Sequence, residues 1–193
     1  MLKKQIDDFL AKALEGETTI SEDIVETFGE RCKDALRKQF NDNRQEFAIR
    51  MSGIGKPLCQ QQLAKQGADF EKPEPSLKMK LAYGDIVEAL VMAVMEAAEV
   101  NIQSFQEPVE YKLGSINCKG TLDVVVDNKV YDIKSASKYA YDMKFSRPDG
   151  FDKIVKDDPF GYVMQGHLYG EATGLPFGGW IVVNKSSGEL AMV

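Results

Sequence analysis

Apolar positions change their period along this chain, and the changes mark its elements. "EPVEYKL" (residues 107–113) alternates polar and apolar side chains, as a half-buried strand does. "CKGTLDVVVD" (118–127) and "KVYDIKSA" (129–136) read as two further strands, with Asp127-Asn128 as the turn between them. Upstream, "SLKMKLAYGDIVEALVMAVMEAA" (76–98) predicts a long helix. Residues 1–48 are charged and helix-prone. Ile20, Ile24, Val25, Phe28, Cys32, Leu36 and Phe40 stand near helical spacing there, which predicts a helical layer packed on the rest. Residues 49–76 are punctuated by Gly53, Gly55, Pro57, Gly67, Pro73 and Pro75, and predict one short helix around Cys59–Lys65 followed by a loop. A polar, aromatic segment (139–158) leads to "PFGYVMQGHLYGEATG" (159–174), a helix with Pro159 in its first turn and Gly174 at its end. "GGWIVVNKSSGELAMV" (178–193) gives a strand, a turn at Ser186–Gly188 and the start of another strand. This order predicts an α/β fold with a small mixed central sheet flanked by helices. It predicts one domain over residues 1–193: a helical extension (1–48) and a core (49–193).

Composition narrows the class. Apolar residues make up 44% and charged residues 28%, as in ordinary soluble globular proteins. No apolar run approaches the roughly 20 residues of a membrane span, so no membrane partner is expected. "MLKKQIDDFLAKALEG" alternates charge with apolar residues and lacks the continuous apolar region of a signal peptide. Cys32, Cys59 and Cys118 are scattered and odd in number, which fits a reducing, cytoplasmic setting better than a disulfide framework. A net charge of −6 argues against a protein that coats nucleic acid. It leaves room for a nuclease whose basic residues are local and whose acids hold metal.

The hairpin carries the candidate chemistry. Asp132 and Lys134 are two apart on one strand and share a face, while Tyr131, Ile133 and Ser135 share the other. Asp123 comes from the adjacent strand across the short turn, so its carboxylate can lie beside that of Asp132. Two neighbouring carboxylates repel and raise each other's pKa unless something positive sits between them. A divalent cation suits such hard oxygen donors. Glu88 adds a third acid, within the apolar stretch "DIVEALVMAV" of the long helix. It is either at the boundary of the helix face or buried with a partner.

These residues resemble the motifs of the PD-(D/E)xK nuclease superfamily, most closely its branch containing the RecB nuclease domain, Cas4 proteins and phage exonucleases. "GTLD" (120–123) resembles the G-x-x-D motif of that branch, "DIK" (132–134) the (D/E)-x-K motif, and "QGHLY" (165–169) the Q-x-x-x-Y motif. "GDIVE" (84–88) resembles the upstream helical motif, and "SGIGKPLC" (52–59) a segment near the N-terminus of Cas4-like members. The resemblance spans about residues 50 to 185. It implies a restriction-endonuclease-like core and a catalytic set of Glu88, Asp123, Asp132, Lys134, Gln165 and Tyr169. One or two Mg²⁺ or Mn²⁺ ions would be held by Glu88, Asp123, Asp132 and the backbone carbonyl of Ile133. It also places Ser52 and Tyr169 near the DNA. Many Cas4-like relatives bind an iron–sulfur cluster through one upstream and three C-terminal cysteines. No cysteine follows Cys118 here, so no cluster is expected, and Cys59 is expected to be an ordinary buried thiol.

Other features are weaker. His167 is the only histidine and lies on a different helix face from Gln165; no nucleophile elbow accompanies it. There is no phosphate-binding P-loop. "SASKYAYDMKFSRPDGFDKIVK" (135–156) mixes aromatic residues with Lys138, Lys144 and Arg147, a mixture that suits single-stranded nucleic acid. The expected activity is a metal-dependent deoxyribonuclease, an exonuclease acting on single strands or duplex ends. The alternatives are a non-catalytic nucleic-acid-binding module that keeps the fold, and a structure-specific endonuclease. The expected partner is DNA, with a second copy or a recombination or replication protein compatible with it. A phage-encoded enzyme acting in a bacterial host fits the same resemblance.

Overall fold

A computed structural model describes residues 2–41, 48–67 and 74–193 of the chain. Part of the loop expected around Pro73 lies outside the described residues. Two helices come first, α1 (Leu2–Leu14) and α2 (Glu22–Phe40). A single 3₁₀ turn (Met51–Gly53) and α3 (Leu58–Lys65) precede the long α4 (Ser76–Ala97). Then follow β1 (Ile102–Leu113), β2 (Ile116–Val126) and β3 (Lys129–Ala136). A crossover follows: α5 (Lys138–Ala140) running into a π turn (Tyr141–Phe145), α6 (Gly150–Lys156) and α7 (Tyr162–Thr173). β4 (Phe177–Asn184) and β5 (Leu190–Met192) complete the order. The sheet runs β1-β2-β3-β4-β5. Only β3 and β4 pair in parallel, as their helical crossover requires. The architecture is α/β, a five-stranded mixed sheet flanked by helices with a helical N-terminal region.

The β2–β3 turn is set by two residues. Asp127 and Asn128 have φ of 49° and 58°, the left-handed pair that a two-residue hairpin favours. The Asn128 amide donates to Gln103 Oε1 at 2.6 Å, which ties the hairpin tip to β1.

Alternation along β3 and β4 sorts side chains to two faces. Tyr131, Ile133 and Ile181 face α4, where Val87, Val91, Met92 and Met95 close the core. Val130 faces α7 with Leu122, Val125, Leu168 and Tyr169. Trp180 and Val182 pack beside them against Tyr141, Phe145 and Ile154. α1 inserts Leu2 and Ile6 into the core on the α4 face, so the N-terminal region shares the sheet's own core.

Several expectations need correction. β1 begins at Ile102, earlier than the alternation indicated. Residues 139–158 hold α5, the π turn and α6, which no clear period announced. α7 starts at Tyr162 rather than near Pro159. Gly161 holds the N-cap position with φ of 75°, and Asp158 Oδ1 and Oδ2 accept from the amides of Tyr162 and Val163. The apolar positions of α2 divide between two faces: Ile24, Phe28 and Cys32 are half-buried on the side of the buried Ala35, Val25, Leu36 and Phe40 are exposed, and Ile20 precedes the helix and is exposed. Polar contacts hold α2 on α4. Arg31 makes a two-pronged pair with Glu96 at 2.6 and 2.9 Å, and Gln39 donates to Asp85 at 2.6 Å. Cys59 is exposed rather than buried. No helix among the described residues is long and apolar enough to cross a membrane.

Candidate functional site

The site forms where β2 and β3 part. Their ladder pairs Val126 with Lys129, Val125 with Val130 and Val124 with Tyr131, then ends. The next opposed residues are Asp123 and Asp132. Here the Asp123 carboxylate takes the place of a backbone acceptor: the amide of Ile133 donates to Asp123 Oδ2 at 2.7 Å. Asp132 is aligned with Trp180 of β4 and is only 1% exposed. Lys134 Nζ donates to Asp132 Oδ1 at 2.8 Å and lies 2.7 Å from Oδ2. Both oxygens of this buried carboxylate therefore lie against one ammonium. The ammonium also lies 5.2 Å from the centre of the Tyr162 ring.

Glu88 reaches the same region from α4, half-buried, with its carboxylate accepting from the side-chain amide of Gln106. A cavity of about 340 Å³ lies beside it, lined by Arg31, Lys38, Asp85, Phe105 and Gln106. Burial raises the pKa of Asp123 well above the ordinary carboxylate value, and the charges of Asp132 and Glu88 push it further. Burial likewise raises Glu88 and Asp132, the latter despite its ion pair with Lys134. Burial works against the Lys134 ammonium, but Asp132 and Asp123 outweigh it and hold its pKa above the usual lysine value. Two carboxylates, Asp123 and Asp132, thus act on the Lys134 ammonium, while Lys38 is the cation that acts on Glu88.

Gln165 and Tyr169 brace this corner. The Tyr169 hydroxyl donates to the carbonyl of Thr121 at 2.8 Å and receives a hydrogen bond from Gln165 Nε2 at 3.0 Å. Burial pushes the Tyr169 hydroxyl up to about 12, so it remains a donor. Gly120 is small for a reason: a Cβ there would meet the Tyr169 ring and Met51 Sδ at 2.9 Å. The glycine, the Thr121 carbonyl and Asp123 are therefore positioned together against α7.

The structure thus brings together Asp123, Asp132 and Lys134, with Gln165 and Tyr169 behind them and Glu88 at the margin. Tyr169 and Gln165 are buried, which makes them positioning residues rather than a surface for DNA. Ile133 contributes its amide to Asp123, while its side chain lies in the core. Ser52 stands in the exposed 3₁₀ turn, at a hollow of about 550 Å³ shared with Arg50, Lys56 and Gln61. The basic residues of the crossover have local partners. Lys138 pairs with Asp142 and Lys144 with Asp157, both at 2.6 Å, and Arg147 donates to the Asp142 carbonyl at 3.0 Å. His167 is on the exposed face of α7.

Sequence reading missed Tyr162 and Gln106. Tyr162, Gln165 and Tyr169 lie at i, i+3 and i+7, one face of α7, and that spacing could have found the first. Gln106 sits on β1 with φ of 49° and no pattern marked it.

The donor set suits a hard divalent cation: the carboxylates of Asp123 and Asp132 on neighbouring strands, beside one ammonium. Among the described residues, no group of three Asp, Glu, His or Cys side chains is gathered closely enough to hold a metal ion. Asp123, Asp132 and Lys134 form the tight part, with Glu88 at its margin.

No protein-family model matches the chain, and no curated protein matches it. Among solved structures, "Crystal structure of SSO0001" is similar in backbone, with a TM-score of 0.47 and 14% identity, covering 86% of this chain and 75% of that one.

Proposed function

We propose that this chain is a divalent-cation-dependent deoxyribonuclease that hydrolyses phosphodiester bonds in single strands or at DNA ends. One observation carries the reading: the buried Asp132 carboxylate lies against the Lys134 ammonium, with Asp123 opposite it on the neighbouring strand. The motif resemblance to the RecB-like branch of the PD-(D/E)xK nucleases supports it, and with it a restriction-endonuclease-like core.

Asp123 and Asp132 would hold Mg²⁺ or Mn²⁺, with Glu88 joining directly or through water and the Ile133 carbonyl as a further donor. Such an ion, when bound, polarises a phosphoryl oxygen and lowers the pKa of its water. Lys134 stays charged and presents a fixed positive group where phosphate charge develops. Tyr162 limits its movement on one side. Gln165 and Tyr169 hold the Thr121 carbonyl, and so fix the backbone two residues before Asp123. The exposed Cys59 thiol fits a reducing cytoplasm, and the phage members of that branch make a phage-encoded enzyme part of the same reading.

The test is cleavage of end-labelled and circular DNA, single- and double-stranded, with Mg²⁺, Mn²⁺ or EDTA. The expected result is cation-dependent cleavage by the natural chain. Asp123→Ala should lose cleavage while still binding DNA, because it removes a donor and also a charge that repels phosphate. No cation-dependent cleavage of any substrate would overturn the proposal. So would normal cleavage by Asp123→Ala in a preparation free of host nuclease.

A further inference from the structure

A further cavity, of about 300 Å³, opens beside Lys134. Its walls come from the end of β3, the crossover and the residue after β4, and include Ser135, Lys144, Phe160, Tyr162 and Lys185. Two features distinguish it. Phe160 and Tyr162 are stacked, with ring centres 5.4 Å apart and planes at 23°. Phe160 is nonetheless 58% exposed, so it leaves much of its ring open to solvent.

The charges of the cavity also resolve. Lys134 is matched by Asp132, and Lys144 by Asp157. The Asp158 carboxylate accepts from two backbone amides at the start of α7. Lys185 has no carboxylate within ion-pairing distance among the described residues; it lies 5.9 Å from the centre of the Tyr83 ring. Asp158 keeps its charge, so the wall holds one N-capping carboxylate, and what remains is an open aromatic face and an ammonium without an ion-pairing carboxylate. Those are the two groups that recognise a nucleotide, one for the base and one for the phosphate. The volume stands at the low end for ligand pockets and suits one base with its sugar rather than a base pair.

We propose that this cavity seats one unpaired nucleotide of a DNA strand, its base on Phe160 and a flanking phosphate on Lys185. The inference deepens the nuclease reading and rests on it for what happens to the strand. It gives the single strand of that reading a seat on named residues. The sequence pattern did not single out Phe160 or Lys185.

The experiment measures affinity rather than cleavage. Fluorescein-labelled oligo(dT) and the same oligomer with abasic sites are titrated with the natural chain in EDTA by fluorescence anisotropy. The natural chain should prefer the base-bearing strand. Phe160→Ala should weaken oligo(dT) binding roughly tenfold and abolish the preference, the scale of one lost stack. Phe160→Trp should keep the preference. Lys185→Ala should weaken both oligomers alike and flatten the salt dependence by about one phosphate contact. Phe160 is exposed, so the variant's thermal melt should match the natural chain and certify its fold. Equal binding of the two oligomers, no binding of either, or an unchanged preference in Phe160→Ala would overturn the pocket. Cleavage assays judge the nuclease reading separately: normal cleavage with an unchanged Phe160→Ala sinks only the pocket. A base preference lost in Phe160→Ala, without any cleavage, sinks only the nuclease.

Discussion

Asp132 and Lys134 hold each other in place at a cost in hydration, and single substitutions should expose that balance. Lys134→Met keeps much of the stem and removes the charge. Turnover should fall by roughly 10²-fold or more, the scale seen when one electrostatic stabiliser is removed. The variant also leaves Asp132 buried without its partner, so its melting temperature in EDTA should fall and should recover with Mn²⁺. Unchanged turnover in an active enzyme would make the D-x-K match a coincidence. The carboxylates set a pH dependence. Burial raises Asp123, and Asp132 and Glu88 add to it, so the folded chain keeps a proton that the unfolded chain releases near pH 4. That contribution to stability is fully present below the unfolded pKa and is lost as pH rises through the raised folded pKa. Asn resembles the protonated carboxyl. Asp123→Asn should therefore melt above the natural chain at pH 8 in EDTA, with the gap closing toward pH 4. A gap that stays constant with pH would rule out this origin.

At the scale of elements, two glycines bound α7, Gly161 at its start and Gly174 at its end. Gly161 combines φ of 75° with a close approach: a Cβ there would lie 2.6 Å from Gly55 Cα. Gly174, just past the other end of α7, has φ of 68° but open space around it. Gly174→Ala should cost about 1–2 kcal/mol from left-handed strain alone. Gly161→Ala adds a backbone clash and should cost clearly more, read as a larger shift in a denaturant midpoint. Equal shifts would mean that the contact with Gly55 carries no weight. The same pair explains what sequence could reveal. Gly174 was legible because a helix-ending glycine is a local signal. The start of α7 was not, because the local preference for Pro159 in a first turn lost to a contact with Gly55, about a hundred residues away. The hairpin was legible for the local reason again: alternation set the faces, and Asp127-Asn128 set the turn. Asp123, Asp132 and Lys134 followed from that phase. Gln106 and Lys185 did not, since each reaches its place through tertiary packing.

At the scale of the whole molecule, the N-terminal helices raise the question of how many units unfold. Residues 1–48 read in the sequence as a layer added to a core. In the structure Ile6, 2% exposed, lies among Met92, Met95 and Ile181, beneath the sheet face opposite Lys134. The lone Trp180 reports from the other face, edge-on to Phe177 with ring centres 5.1 Å apart. α4 and β3 connect the two faces, and both carry site residues, Glu88 on one and Asp132 and Lys134 on the other. Ile6→Ala leaves a cavity in that shared core. It should cost about 2–5 kcal/mol and lower the melting temperature by roughly 5–15 °C. The decisive readout is whether two probes move together. Helical circular dichroism samples α1, α2 and α4, while Trp180 fluorescence samples the far face of the sheet. Coincident melts, shifted equally by Ile6→Ala, mean that α1, the sheet and the carboxylate site fold as one unit. Mn²⁺ bound at that site should then raise both transitions by the same amount. A helical transition that drops in Ile6→Ala while the Trp180 transition stays put would separate the N-terminal helices from the core and leave the site's stability independent of them.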